Sequence, residues 1–296
     1  MTHPSPHFKF STETGYFLQD EESTDPETFD YAASNFGLIT RSYELPSNAP
    51  LNHSNQWQKF GAHVNYLNNV SAKGEKYKVL FLGRHGEGVH NVAERRYGSK
   101  AWDEYWSLLD GDSHGTWVDA RLTELGISQA ETAREAWKTQ IQRGIPHPQS
   151  YYVSPLNRCL ATAQITFEGL DMPHTQPFRP VVKELLRETM GEHTCDRRSS
   201  RSAIEAEYPL YRIEGGFSEE DNLWDPKIRE SDEERSARLR VFLEDIFATD
   251  ENVFVSMTAH SGAITSILEA TGHRRFPLAT GGVIPVLVKA ELVTGG

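Results

Sequence analysis

Apolar positions along this chain fall into two alternating rhythms. The run at 79–82 is apolar without a break and lacks the polar alternation of a half-exposed strand, and shorter or mixed apolar stretches recur at 150–155, 181–186 and 252–259. They read as strands buried on both faces of a parallel sheet. Between them, Trp57, Phe60, Val64 and Leu67 recur at helical spacing over 56–70, as do Leu239, Phe242, Leu243 and Ile246 over 234–247. Helices are also predicted over 119–136, with Thr123 as N-cap, over 156–169 and over 263–271. A last strand, 282–292, contains Pro285, which places it at an edge or a bulge. No repeat or long linker interrupts the alternation, so the expected fold class is α/β: a three-layer α/β/α sandwich on a mostly parallel sheet.

Outside these elements the patterning changes. Residues 1–50 are rich in Ser, Thr, Pro, Asn and acidic side chains, yet carry Phe8, Phe10, Tyr16, Phe17, Phe29, Tyr31 and Phe36. Rings in a polar segment argue for wrapping rather than disorder. The expected division is an extension over 1–75, wrapping or leading into the domain, and a catalytic domain over 76–296. Past Asn91, Tyr97, Trp102, Tyr105, Trp106 and Trp117 are spaced to pack a short helix, with a substrate-facing lid as the alternative. The acidic region 200–235 reads as looped.

Charge narrows the function. With 42 acidic against 30 basic residues in 296, the formal charge is −12. That argues against general affinity for nucleic acid or for an anionic membrane. An anionic substrate would need a local cationic pocket. No segment approaches a membrane span, and no apolar core of signal-peptide length stands at the start. Cys159 and Cys195 follow no metal-ligand spacing. A cytosolic protein in a reducing compartment is the expectation, and its oligomeric state is not legible.

Three strand-to-helix junctions carry the chemistry. The first strand ends at Gly83 and is followed by Arg84, His85, Gly86 and Glu87; the second junction carries Arg158; the third carries His260, Ser261 and Gly262. Parallel strands bring such junctions to one sheet edge, where ligands of open α/β sheets bind. Two arginines and two histidines at one anion site point to phosphoryl chemistry, since guanidinium forks hold nonbridging oxygens and a neutral imidazole can attack phosphorus. Here His85 is the nucleophile, His260 a donor to phosphate oxygens and Asn91 an amide donor. Glu188, after the third strand, is the acid for the leaving oxygen, with Glu192 and Glu87 in reserve.

The stretch Arg84-His85-Gly86-Glu87 with His90-Asn91, then Ser154-Pro155-Leu156-Asn157-Arg158, then Ala259-His260-Ser261-Gly262, resembles the histidine phosphatase superfamily. The branch it is most similar to holds the cofactor-dependent phosphoglycerate mutases, and the wording around 100–126 and 188–202 resembles the fungal phosphomutase-like proteins. The resemblance implies a phosphoglycerate mutase-like fold, a phosphohistidine on His85, and a phosphate pocket of Arg84, Arg158 and His260. It further implies Asn91 on phosphate, Glu188 as acid and base, and no metal; no cofactor is expected. The mutases' basic surround for a bisphosphate is not matched here, although Arg197-Arg198 lies in a plausible region; that favours hydrolysis of a small-molecule phosphate ester over mutase activity. Arg197, Arg198 and Arg201 read as a solvated face before substrate ligands, and Cys159 as packed. His90 stands either beside the site or exposed. Two rival functions stand beside this one. A serine hydrolase built on Ser261 needs an acid and then a histidine later in the chain, which Glu269 and His273 on one helix cannot supply. A phosphate-binding module without turnover would keep the pocket alone.

Overall fold

The computed structural model describes residues 7–45 and 54–293. Its seven-stranded sheet uses strands β1 (Phe8–Thr12), β2 (Glu75–Arg84), β5 (Ser150–Val153), β6 (Val181–Val182), β7 (Arg212–Ile213), β8 (Phe254–Ala259) and β9 (Val283–Leu292); β3 (Gly111–Asp112) and β4 (Gly115–Thr116) pair apart as a small hairpin. The order is β1-β9-β2-β8-β5-β6-β7. From β2 to β7 every pairing is parallel, while β9 runs antiparallel to both β2 and β1. Helices are α1 (Gln56–Val70), α2 (Val89–Tyr97), α3 (Ser99–Glu104), α4 (Glu124–Gln142), α5 (Asn157–Phe167), α6 (Arg201–Glu207), α7 (Asp232–Thr249) and α8 (Ser261–Ala270).

Residues alternate faces along β2, so its apolar run feeds two cores at once. Leu80 and Leu82 join Phe242, Leu243 and Ile267 from α7 and α8. Val79 and Phe81 join Phe60 of α1, Trp137 of α4 and Phe167 of α5. Those two layers of helix around one sheet are the three layers expected, an α/β/α sandwich on a mostly parallel sheet.

Several local expectations change. The run at 181–186 is a strand only over Val181–Val182 and then tightens into a 3₁₀ turn, Glu184–Leu186. The region read as loop contains α6 and β7. Phe8–Thr12 is an edge strand, with Phe8 facing Leu292 and Thr12 facing Val288. By strand order, therefore, β9 is interior. At Pro285, however, β1 has already ended, and the Pro285 carbonyl accepts a 2.8 Å hydrogen bond from Gln19 Nε2, so the proline stands at a local edge closed by a side chain. Trp102 and Trp117 are buried edge-to-face at 5.3 Å and Tyr97 stacks on Trp106 at 3.9 Å, which is the packing role expected of those rings.

Candidate active site

Strand register decides which side chains meet. Arg84 pairs with Ala259, and Val153 with Thr258, so the carboxyl ends of β2, β8 and β5 finish level. The residues just beyond those ends are His85, His260 and Ser154. Helices α2, α5 and α8 start beside them, and none of their N-cap residues supplies a side-chain cap. The positive dipole ends of three helices converge there and make this edge favourable for an anion.

His85 is 3% exposed, and its Nδ1 lies 2.7 Å from the Gly86 carbonyl. A carbonyl only accepts, so Nδ1 carries the hydrogen and Nε2 keeps its lone pair. Burial pushes His85 well below the usual imidazole range, and Arg158 and Arg84 push it the same way. Its ring stands 5.1 Å from that of His260 and 5.6 Å from that of His90. The His260 ring is fully buried, with Nε2 2.7 Å from Ser154 Oγ and 3.3 Å from Cys159 Sγ. Burial also holds His260 well below its ordinary value, reinforced by Arg158 and His85.

The two guanidiniums are anchored but not consumed. Arg158 is 1% exposed; Nη1 donates to the Cys195 carbonyl at 2.6 Å and Nη2 to Asp196 Oδ1 at 2.8 Å, leaving Nε without a partner. Arg84 gives Nη1 to the Leu278 carbonyl at 2.7 Å, and its buried Nε is likewise unpartnered. A guanidinium has five N–H donors, so each of the two retains donors for an incoming anion. His90 Nδ1, on the ring buried beside His85, is also without a partner, so it too is open to a hydrogen bond from a polar ligand or water.

Glu188 accepts from Gly262 N at 2.9 Å through one oxygen and from Thr189 N at 3.0 Å through the other. This seats the carboxyl group at the amino end of α8. Burial lowers Arg84, and Glu188 is the largest of the charges opposing that shift, which places carboxylate and guanidinium in one neighbourhood. Asn91 Oδ1 accepts from Gly88 N at 3.0 Å, and the residue lines, with Arg84, Glu94, Arg95, Ser99 and Thr280, a cleft of about 290 Å³. A larger groove of about 1080 Å³ runs along the opposite edge of the sheet, beside Arg179 and Arg212 and away from the histidines.

The sequence profile of the histidine phosphatase superfamily (branch 1) matches residues 106–282. The chain belongs to that superfamily. A probable phosphoglycerate mutase of Arthroderma benhamiae is 56% identical over 290 residues, 98% of this chain and 87% of that protein. Phosphomutase-like protein 3 of Candida albicans is 37% identical over 248 residues, 82% of this chain and 76% of that protein. Among solved structures, a mycobacterial glucosyl-3-phosphoglycerate phosphatase is 22% identical and covers 66% of this chain and 79% of that chain, with a TM-score of 0.39. The matched span of the superfamily profile contains Arg158, Glu188 and His260; pairing of β2 with β8 brings Arg84 and His85 to them.

Within this superfamily member some sequence readings need correction. Arg198 belongs neither to a solvated face nor to the cleft: it is 4% exposed, its Nε is bonded to Glu184, its other nitrogens to carbonyls of 199 and 218–220, and it lies 4.0 Å over the Phe217 ring. Arg197 stacks 5.1 Å over Trp224 and Arg201 pairs with Glu205 on α6. Glu87, held in reserve as an acid, is committed to Arg95 Nη2 at 2.6 Å and Thr123 Oγ1 at 2.8 Å. His90 is buried beside His85. His273, weighed for a serine hydrolase, is turned to Asp20 and the Arg274 carbonyl.

Sequence reasoning passed over Asp196, which anchors Arg158, and Ser154, which meets His260. A buried arginine requires a carboxylate, but nothing local says which one. Among the described residues, His193, Cys195 and Asp196 are the group of metal-ligand types. Asp196 is already paired with Arg158 and faces Arg229 at 3.5 Å, and burial raises the Cys195 thiol well above its usual value, so this donor set suits a guanidinium clamp and not a metal ion.

Proposed function

We propose that this protein is a metal-independent phosphatase that hydrolyses the phosphomonoester of a small molecule through a phosphohistidine on His85. The observation that carries the reading is a buried neutral imidazole whose Nδ1–H is spent on Gly86 O, set among two guanidiniums with unspent N–H groups. In the first step His85 Nε2 attacks phosphorus, the bond to the leaving oxygen breaks, and Glu188 gives that oxygen its proton. Arg84 and Arg158 hold the nonbridging oxygens as charge builds. With the Ser154 hydroxyl donating to His260 Nε2, Nδ1 carries the hydrogen; its contact with the Cys159 sulfur at 3.8 Å is a weak one that a phosphate oxygen would replace. In the second step Glu188 takes a proton from water, the water oxygen attacks phosphorus, and the P–N bond breaks to return inorganic phosphate and neutral His85. Asn91 adds an amide donor at the mouth. The commitment of Arg198 to Glu184 and backbone carbonyls supports hydrolysis, because that cation is unavailable to a bisphosphate.

The printed names of the relatives favour a second reading, a phosphomutase that hands the group to an acceptor metabolite. Both are tested by a phosphate-release screen over sugar phosphates, nucleotides and other phosphorylated metabolites with chelator present, alongside product analysis for transferred phosphate. His85→Ala should lower turnover by about a thousandfold or more. Retained hydrolysis in that variant rejects the mechanism, transfer without release favours the mutase, and binding of phosphate without either product leaves a binding module.

A further inference from the structure

We propose that residues 12–29 form a positioning strap for the phosphate pocket, acting through the 271–282 segment that joins α8 to β9. The inference rests on the phosphatase reading above. Arg84 has one bonded guanidinium nitrogen, and its acceptor is the Leu278 carbonyl; the His85 carbonyl accepts from Gly281 N at 3.0 Å, and Arg84 N donates to the Gly282 carbonyl at 2.9 Å. The 278–282 backbone therefore aims both a phosphate-binding cation and the nucleophile's own peptide. Thr280, in the same segment, lines the cleft.

That segment has no regular structure; Phe276 and Leu278 root it in the core, and further fixings come from the amino-terminal residues. Thr12 Oγ1 donates to the Thr271 carbonyl at 2.9 Å. His273 Nε2 meets Asp20 Oδ1 at 3.3 Å, both side chains fully buried. Asp20 is fixed in turn by Tyr16 N and Phe17 N on its other oxygen. Arg274 Nη1 donates to the carbonyls of Gln19 and Thr24, each at 3.2 Å, and Phe29 packs edge-to-face on Phe276 at 5.5 Å. Five contacts from one segment converge on residues 271–276, immediately before the backbone that anchors Arg84. A rigid support of this kind matters because an error of about 1 Å in a positioned group can cost a hundredfold in rate. Asp20 and Arg274 are thus positioning residues: they touch no substrate.

The test compares Asp20→Ala, Arg274→Ala and Arg274→Lys with a control, Phe10→Ala, which removes a ring of the same amino-terminal region that packs on Phe247 and makes none of the contacts above. p-Nitrophenyl phosphate hydrolysis and the inhibition constant for orthovanadate are read at a temperature where each variant is folded by circular dichroism. Asp20→Ala and Arg274→Ala should lower kcat/KM and weaken orthovanadate about tenfold; Arg274→Lys should recover part of both, and Phe10→Ala should stay within about twofold of wild type. Wild-type kinetics in the first two variants, or an equal loss in Phe10→Ala, overturns the strap. If Asp20→Ala does not fold, the Arg274 pair decides alone. A wild-type protein that neither hydrolyses phosphomonoesters nor binds orthovanadate brings down the phosphatase reading and the strap with it, an outcome distinct from an active enzyme indifferent to Asp20.

Discussion

Burial, ahead of the neighbouring guanidiniums, keeps His85, His90 and His260 uncharged. Each has its folded pKa lowered below the unfolded value of 6.5, so the unfolded chain binds more protons once pH drops under that value. Stability is then complete above about pH 6.5 and lost as pH falls toward the lowered folded values, at about 1.4 kcal/mol per pH unit for each histidine. His90→Gln should make melting temperature fall less steeply between pH 7 and pH 5, by one proton's share; an unchanged slope would show that His90 does not titrate on unfolding. Under the proposed mechanism the same shift keeps His85 competent as a nucleophile in mild acid. The acid limb of kcat/KM should accordingly lie well below 6.5, and a limb at 6.5 would mean that His85 is hydrated. At this scale Arg158 also explains Asp196: a guanidinium 1% exposed is tolerable because a carboxylate 5% exposed sits 2.8 Å away.

Elements deliver these residues by close backbone approach. A Cβ on Gly86 would come within 2.2 Å of the Gly126 carbonyl oxygen, and one on Gly126 within 2.1 Å of that of Glu87, so the turn after β2 and the start of α4 touch through two glycines. On α8, a Cβ at Gly262 would lie 2.2 Å from Glu188 Oε1. Glycine there lets the carboxyl group reach the helix start. Gly262→Ala should displace Glu188 with little effect on the fold, and so imitate Glu188→Gln. Both should lose about a hundredfold or more on alkyl phosphates but much less on p-nitrophenyl phosphate, whose leaving group needs no proton. Equal losses on the two substrates would remove Glu188 from the acid's place.

Across the whole molecule, the amino and carboxyl ends of the described chain meet in one sheet, because β1 pairs with the last residues of β9. Phe8 and Phe10 close the α7 side of the core against Phe247. Phe10→Ala should therefore cost about 3 kcal/mol and lower the melting of the entire domain in a single transition, measured by denaturant titration. A separate early transition, with the rest unmoved, would mean that the amino-terminal region is a detachable unit. No described helix is long and apolar enough to cross a membrane.

What could be read from residue order is what neighbours within a turn or two determine. Apolar runs announced the buried strands, helical spacing announced α1 and α7, and glycine with arginine and histidine at strand ends announced an anion site. Where the pattern is too short to have a period, as in the two-residue strand β7, it is silent, and at β6 it overstates the strand's length; β1 does alternate Phe8-Lys9-Phe10, a signal hidden by its polar surroundings. Tertiary structure alone decided which carboxylate each arginine received, turning Arg198 away from the cleft and Asp196 toward Arg158. It also decided that the tautomer-setting acceptor of His85 is the next residue's own carbonyl, and that residues near position 20 support a segment near 275. The reason is physical: hydrophobic periodicity is a property of the local chain, whereas the partner of a buried charge is chosen by whatever the completed fold brings within 3 Å.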